Sequence, residues 1–461
     1  MAITASIQVV SATRLRSDEM SKGRTFHAWN RYPNMERSAG IEWYPMPISQ
    51  LFNTLSVRDF RWLWGSSVIH VVGMSTEFLV QGWMVLLITE SPLWVGIASG
   101  IRGAGNVGTG IMGGVLADRI HRRNVLATVH WVRGMLLAGL AFLVLTDMVQ
   151  LWHILAAALF QGMADGLTAP SHNGLIYDTL GPRRLLNGLA TMLAGFHLSW
   201  MIGSVVTGTV ISILGIGTAY VVAAGAYLLS PVALLLVKAG EPVQRHQESV
   251  WRNIVEGLRY VSGSRLLRVM LLLSVLVETF GFSYSVMLPV IAKNVLHVGP
   301  SGLGYLSAAG SVGALVGTVM VAGLSDLRAK WTMLTVSTSM AGISLVLFGI
   351  SPWFITSLIL ATAVGLALVV YDASINALLQ LLSDDKLRGR VLGLYGLTWG
   401  FTPVGGLIAG AIASVASAPF AVGVGGTIVA GYALTFLTRL RSTAQTTGKY
   451  MFDGSGSQES R

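Results

Sequence analysis

The sequence predicts an all-α membrane protein, with twelve transmembrane helices in two pseudo-symmetric six-helix bundles. Three observations predict it: the number and length of the apolar segments, the distribution of Lys and Arg between them, and a glycine pattern that recurs every third segment. The segments span about residues 60–88, 93–117, 124–145, 151–177, 186–213, 217–238, 267–293, 301–324, 331–350, 354–381, 391–415 and 419–438. Each has roughly 20 or more residues, long enough to cross a bilayer core with some tilt. Very short gaps on one side force neighbouring helices to run antiparallel.

Charge supplies the topology. Of the 31 Lys and Arg residues, 28 fall before the first segment, after the last, or in every second gap. The gaps near 118–124, 181–185, 238–268, 325–331 and 383–391 are basic, and the alternate gaps hold no Lys or Arg. Arg102, Arg133 and Lys293 alone break the pattern, and each lies within or at the end of an apolar segment. Short-loop Lys and Arg are retained on the cytoplasmic side, so an even number of crossings with both termini cytoplasmic is expected.

Composition agrees and excludes other classes. Hydrophobic residues make up 53% of the chain, charged residues 11%, and mean hydropathy is +0.64. Soluble domains carry about 25% charged residues. The net charge of +10 follows from the basic loops, so no nucleic-acid partner is expected. With no Cys, disulfides, thiol catalysis and thiolate metal sites are excluded. No Gly-Lys-Ser/Thr phosphate loop and no nucleophile–base arrangement occurs, which argues against an ATP motor or an enzyme. No cofactor or metal is expected.

Taken in order, residues 1–55 are polar and lack the apolar run of a cleaved signal peptide. They are read as a disordered cytoplasmic extension, with Met46 as an alternative start. Residues 56–238 form the N-terminal six-helix bundle and 267–438 the C-terminal one. Between them, 239–266 is a cytoplasmic linker. Within it Val250, Trp251, Ile254, Leu258 and Val261 share a helical face while Arg252, Glu256 and Arg259 do not, the pattern of an interfacial helix or an ordinary tether. Residues 439–461 are read as a disordered cytoplasmic tail.

Glycine is concentrated in the second, fifth, eighth and eleventh segments, from Gly96 to Gly114, Gly188 to Gly208, Gly302 to Gly317 and Gly393 to Gly410. Small residues let helix backbones approach closely in lipid, and a three-helix period within two halves is what nested inverted repeats produce. Asn173, in "TAPSHNGLIYDTLGPRRLLNGL", also matches Asn376, in "DASINALLQLLSDDKLRGRVLGL", at an offset of 203 residues.

The gap after the second segment reads "GGVLADRIHRR", Gly113 to Arg123. It resembles the G-x-L-A-D-R-x-G-R-R loop of the major facilitator superfamily, and the resemblance extends over residues 56–440. His121 stands where the family has Gly, which brings the tight turn into question. The resemblance implies a cytoplasmic gate: Asp118 latches it, Arg122 is its partner, and Gly114, Arg119 and Arg123 support it. The other reading is a topogenic basic loop with a helix-capping Asp. Asp59 to Pro92, Arg102, Gly281 to Leu296 and Asp384 to Tyr395 are similar to the bacterial enterobactin-exporter and macrolide-efflux group. Asp384, Arg388 and Arg390 mark the second-half cytoplasmic loop. Ala158 stands where drug/proton antiporters carry an Arg, and the fifth segment lacks their Pro. Their coupling residues therefore do not transfer.

The charges inside the segments are few. An ionisable group at the bilayer centre costs at least ~2.5 kcal/mol, so such groups face a cavity or a partner. Glu77, Arg102, Asp165, Glu278 and Asp372 are the proton-coupling or cavity candidates, because family helices one, four, seven and ten line the central cavity. Glu77 is the first choice. Each of them also fits a buried ion pair or hydrogen bond, and Arg102 can pair with Glu77 or Asp165. Arg133 is expected to snorkel from the end of the third segment. Trp94, Trp152, Trp331 and Trp353 suit interface anchors, while Trp83, Phe280, Phe282, Tyr284 and Trp399 suit packing or a cavity wall.

The resemblance implies a monomeric secondary transporter of the bacterial inner membrane, exporting a small amphipathic drug, macrolide or siderophore-like molecule in exchange for protons. Uptake, lysophospholipid movement and a non-transporting sensor or scaffold are the alternatives.

Overall fold

A computed structural model describes residues 52–238, 250–322, 327–384 and 387–452. Every regular element among them is helical. The helices, in chain order, are α1 (Arg58–Thr89), α2 (Pro92–Arg119), α3 (Arg122–Leu145), α4 (Leu151–Leu214), α5 (Ile216–Leu235), α6 (Val250–Gly263), α7 (Arg265–Val295), α8 (Gly299–Ala322), α9 (Leu327–Ile350), α10 (Phe354–Leu382), α11 (Arg388–Val415) and α12 (Ala418–Phe452).

α4 holds two of the expected segments. It breaks at Gly181, whose φ of 67° and ψ of 177° lie outside the helical range, and Pro182 opens the second arm. Only glycine takes this backbone cheaply, and proline is suited to the start of a helix. Gly188 packs against Ile176 and Leu180, so the second arm folds back along the first. Among the described residues, ten helices or arms are long and apolar enough to cross a membrane. The other two expected segments are also helical, as α2 and the first arm of α4. Their apolarity is diluted by glycines and by Arg102 and Asp165, the price of close packing and of a polar site.

α3 shows why lipid is the solvent. Val132, Met135 and Phe142 are 53–63% exposed on one side, while Leu137, Leu140 and Ala141 are buried on the other. A helix that is apolar on both faces has water on neither.

Glycine-mediated crossings build both bundles alike. Gly162 of α4 abuts the backbone of α2 at Arg102, and Gly365 of α10 abuts that of α8 at Gly310. The two lie 203 residues apart, the offset that relates Asn173 to Asn376.

Other glycines join the bundles to each other, at one end. Gly96 of α2 meets Gly406 and Gly410 of α11, Gly103 meets Pro403, and Gly208 of α4 meets Pro300 and Gly304 of α8. Ser212 and Ser301 share a hydrogen bond of 2.7 Å, and Ser204 and Ser307 one of 2.9 Å. All these contacts lie in the helix halves remote from the basic loops. Toward those loops, Gly108 and Gly110 of α2 and Gly393 and Gly396 of α11 have open space beside them. Among the described residues, these contacts between the bundles thus gather on the side remote from the basic loops.

Several boundaries differ from expectation. Phe52–Ser56, read as the end of a disordered extension, is a 3-10 helix whose Thr54 is buried against Thr191. Residues 1–51 lie outside the described residues. α12 continues to Phe452 through the start of the expected tail, because no Pro interrupts residues 439–452. α6 is helical as the amphipathic pattern predicts. Its inner face packs on α11 through Gly257, near Arg390 and Leu394, and Arg390 pairs with Glu256 at 2.5 Å.

Candidate functional site

The N-terminal bundle encloses a four-membered charge network: Glu77 on α1, Arg102 on α2, Arg133 on α3 and Asp165 on α4. Arg133 is the hub. Its Nη2 and Nε donate to Glu77 Oε2 at 2.5 and 3.0 Å, and its Nη1 donates to Asp165 Oδ1 at 2.7 Å. Arg102 donates to Asp165 Oδ2 through Nη2 at 2.8 Å and Nε at 3.1 Å. Tyr227 of α5 donates to Glu77 Oε2 at 2.7 Å, and the Arg133 guanidinium lies 4.6 Å from its ring centre. Two carboxylates and two guanidiniums make the set neutral. Its inner half is sealed, since Glu77 is 0% and Arg133 4% exposed.

Arg133 therefore does not snorkel. It lies three turns into α3, counted from Arg122, too deep for its head to reach the interface. Of the two partners open to Arg102, the structure selects Asp165. Beside this network His70 stacks on His130 with ring centres 4.0 Å apart, and His130 Nδ1 lies 2.8 Å from Ser230 Oγ.

The C-terminal bundle places its two carboxylates on the corresponding helices, α7 and α10, but surrounds them with hydroxyls. Thr402 Oγ1 of α11 donates to Glu278 Oε2 at 2.6 Å, and Tyr395 Oη of α11 donates to Asp372 Oδ1. Ser274 and Thr398 share a hydrogen bond of 2.7 Å between α7 and α11. Among the described residues, neither carboxylate has a cationic partner.

Both helices that carry these contacts are interrupted there. Glu278 sits in a π-helical turn, Val277–Phe282, and α11 breaks at Trp399 and Gly400 between Tyr395 and Thr402. π turns inside α-helices concentrate at functional sites, and interrupted helices form the binding sites of many transporters.

At the basic loops, Arg122 Nη1 donates to both oxygens of Asp178, at 2.9 and 2.8 Å, and Arg123 Nη1 donates to the Val237 carbonyl at 2.9 Å. Asp178 was not singled out from the sequence; its place three residues before Gly181, opposite the Arg122–Arg123 pair, is visible only in the fold. Gly114, Asp118 and Arg119 lie on α2, and their side chains are outside the described ones, as is the expected Asp118–Arg122 contact. His121 precedes α3 with φ −53° and ψ 118°, so this turn needs no glycine. In the second-half loop, Arg388 Nε donates to the Gln380 carbonyl at 2.8 Å, and the Asp384 N–H donates to Tyr260 Oη at 3.2 Å. These contacts pin α6 to the ends of α10 and α11.

A two-bundle helical protein whose described inter-bundle contacts lie away from its basic loops, with ionisable groups within its helices, has the architecture of a membrane carrier. The family model described as transmembrane secretion effector, MFS_3, matches residues 49–452. The chain belongs to this family of the major facilitator superfamily. Enterobactin exporter EntS of Escherichia coli strain 536 is 25% identical over 403 residues, covering 86% of this chain and 96% of the relative. EntS of Escherichia coli strain ED1a is 25% identical over 394 residues, covering 84% and 94%. Among solved structures, a bacterial homologue of the human lysosomal transporter Spinster, inward-facing and occupied, aligns with a TM-score of 0.65 at 12% identity, covering 83% and 96%. The nucleoside transporter NupG aligns with a TM-score of 0.62 at 14% identity, covering 83% and 98%. The protein is a multi-pass membrane transporter of the major facilitator fold, and its relatives are transporters, not enzymes.

Proposed function

We propose that the protein exports a small amphipathic molecule (a drug, a macrolide or a siderophore-like compound) in exchange for protons, by alternating access. The observation that carries this reading is the joint between the bundles at Gly96–Gly410 and Gly208–Gly304, on the side away from the basic loops, with the basic side taken to be the open one. With the basic loops on the cytoplasmic side, substrate enters from the cytoplasm. Rocking about the joint then closes the basic side through the Gly114–Arg123 loop and opens the other. The 25% identity to enterobactin exporters supports outward transport, and carboxylates within the helices supply groups able to carry protons. The setting is the bacterial inner membrane with both termini cytoplasmic, and the working unit is the monomer. Asp118 serves as the latch of the basic-side gate.

Energised efflux of ethidium from an efflux-deficient bacterial host tests the reading, with wild type and Asp118→Ala compared with and without a protonophore. Efflux by wild type that collapses in both other arms is expected. Efflux that persists with the protonophore contradicts proton coupling. The Cys-free sequence allows a second test, because Ser212→Cys with Ser301→Cys spans the closed joint. The oxidised pair should cross-link readily and stop transport, and reduction should restore it.

A further inference from the structure

We infer that the transported proton resides on Glu278 and Asp372 of the C-terminal bundle, and that Glu77 and Asp165 remain ionised throughout as a fixed part of the N-terminal bundle. The inference rests on the proposed proton-coupled export and names the groups that perform it.

Charge balance carries it. In the N-terminal bundle Arg102 and Arg133 balance Glu77 and Asp165, through three carboxylate–guanidinium contacts of 2.5–2.8 Å. Protonating either carboxylate would leave a buried positive charge without a counterion, so the network resists protons. The C-terminal bundle has no such balance. No Lys or Arg occurs within residues 269–292, 294–327, 331–385 or 391–438, so Lys and Arg are confined to the ends of α7 to α11 and to the part of α12 beyond Thr438. Burial without a cation favours the neutral form of a carboxyl group. A proton is the neutralising charge that the membrane environment always supplies.

The hydrogen bonds fit that role. Thr402 and Tyr395 each donate to one carboxyl oxygen, leaving the other oxygen of Glu278 and of Asp372 able to carry a proton. Tyr371, the residue before Asp372, is fully buried.

Irregular turns hold the donors and acids together: Glu278 lies in the π turn at Val277–Phe282, and Trp399–Gly400 of α11, between Tyr395 and Thr402, keep helical torsions outside the regular helix pattern. Asp372 lies in the last third of α10, toward the basic loops, and is half-buried, whereas Glu278 is 4% exposed. Asp372 therefore exchanges its proton with water on the basic-loop side in this conformation, and Glu278 holds the inner position. In the proposed cycle, protons enter when the opposite side opens and leave through Asp372 when the bundles return. Each step moves a proton between water and a carboxylate oxygen, with no other bond changed.

Infrared difference spectroscopy on the purified full-length protein, titrated across neutral pH, tests the assignment without any substrate. A protonated carboxylic acid gives a carbonyl stretch that a carboxylate lacks. Wild type is expected to show this band at neutral pH, and Glu278→Gln and Asp372→Asn to lose parts of it that differ between the two. Tyr395→Phe, which keeps the carboxylate and removes its donor, should shift the Asp372 part without abolishing it. A wild type without the band, or a band that survives both C-bundle substitutions, overturns the inference. If the band behaves as expected while energised efflux ignores the protonophore, the proton assignment stands and proton-driven export fails.

Discussion

The two bundles share a plan and differ in one ingredient. Each has a carboxylate on its first helix, Glu77 on α1 and Glu278 on α7, and another on its fourth, Asp165 on α4 and Asp372 on α10. Each crosses its fourth helix over its second at a glycine, Gly162 or Gly365. The N-terminal bundle adds Arg102 and Arg133, and the C-terminal bundle puts Tyr395 and Thr402 in their place. On the assignment proposed above, the acids are structural in one half and change charge in the other, and the arginines mark the difference.

The comparison breaks first at Arg133. Replacing it with Met leaves Glu77 buried at 0% exposure with its charge unpaired, and removing one partner of a buried pair costs about 3–5 kcal/mol. Arg133→Met should lower the unfolding midpoint in detergent more than any other single change discussed, and adding Glu77→Gln should recover part of the loss. Glu77→Gln alone should cost somewhat less, about 2–4 kcal/mol, because Tyr227 still finds an acceptor.

Tyr227→Phe sharpens the contrast at a smaller scale. It removes one hydrogen bond to a charged group, worth about 1.5–3 kcal/mol, and keeps the ring beneath Arg133. Thermal unfolding compared with wild type checks it. The smallest effect should come from the same chemical change made in the other bundle. Glu278→Gln swaps a protonated acid for an amide of its own shape, so stability should stay within about 1 kcal/mol, while proton-driven efflux is lost. A destabilisation matching that of Glu77→Gln would erase the distinction between the halves.

Much of the fold was legible in the sequence because membrane solvent leaves few solutions. Apolar length, alternating basic gaps and periodic glycines each follow from a single physical constraint, and the family match agrees with them. The break at Gly181 was visible for the same reason, as a basic turn between two apolar runs. The rare charges Glu77, Arg102, Asp165, Glu278 and Asp372 also stood out, since any ionised group there needs a reason. Their partners did not. Arg133 looked like a snorkelling cation because its depth depends on where α3 begins. Tyr227 and Tyr395 did not stand out, because an aromatic in an apolar helix usually packs. Pairings such as Tyr227 with Glu77, 150 residues apart, leave no periodicity to read. Preference for Glu77 as the proton carrier followed from its place on a cavity-lining helix, and the proposal above moves that role to Glu278 and Asp372.

Potentiometric titration of the purified protein tests the division of labour most directly. Protons bound between alkaline and acidic pH would be counted for wild type and for Glu278→Gln combined with Asp372→Asn. The account predicts that the double variant binds fewer protons, by up to two, one for each carboxylate removed, with its unfolding midpoint near that of wild type. Superimposable titration curves would contradict it, because the C-terminal carboxylates would then carry no exchangeable proton.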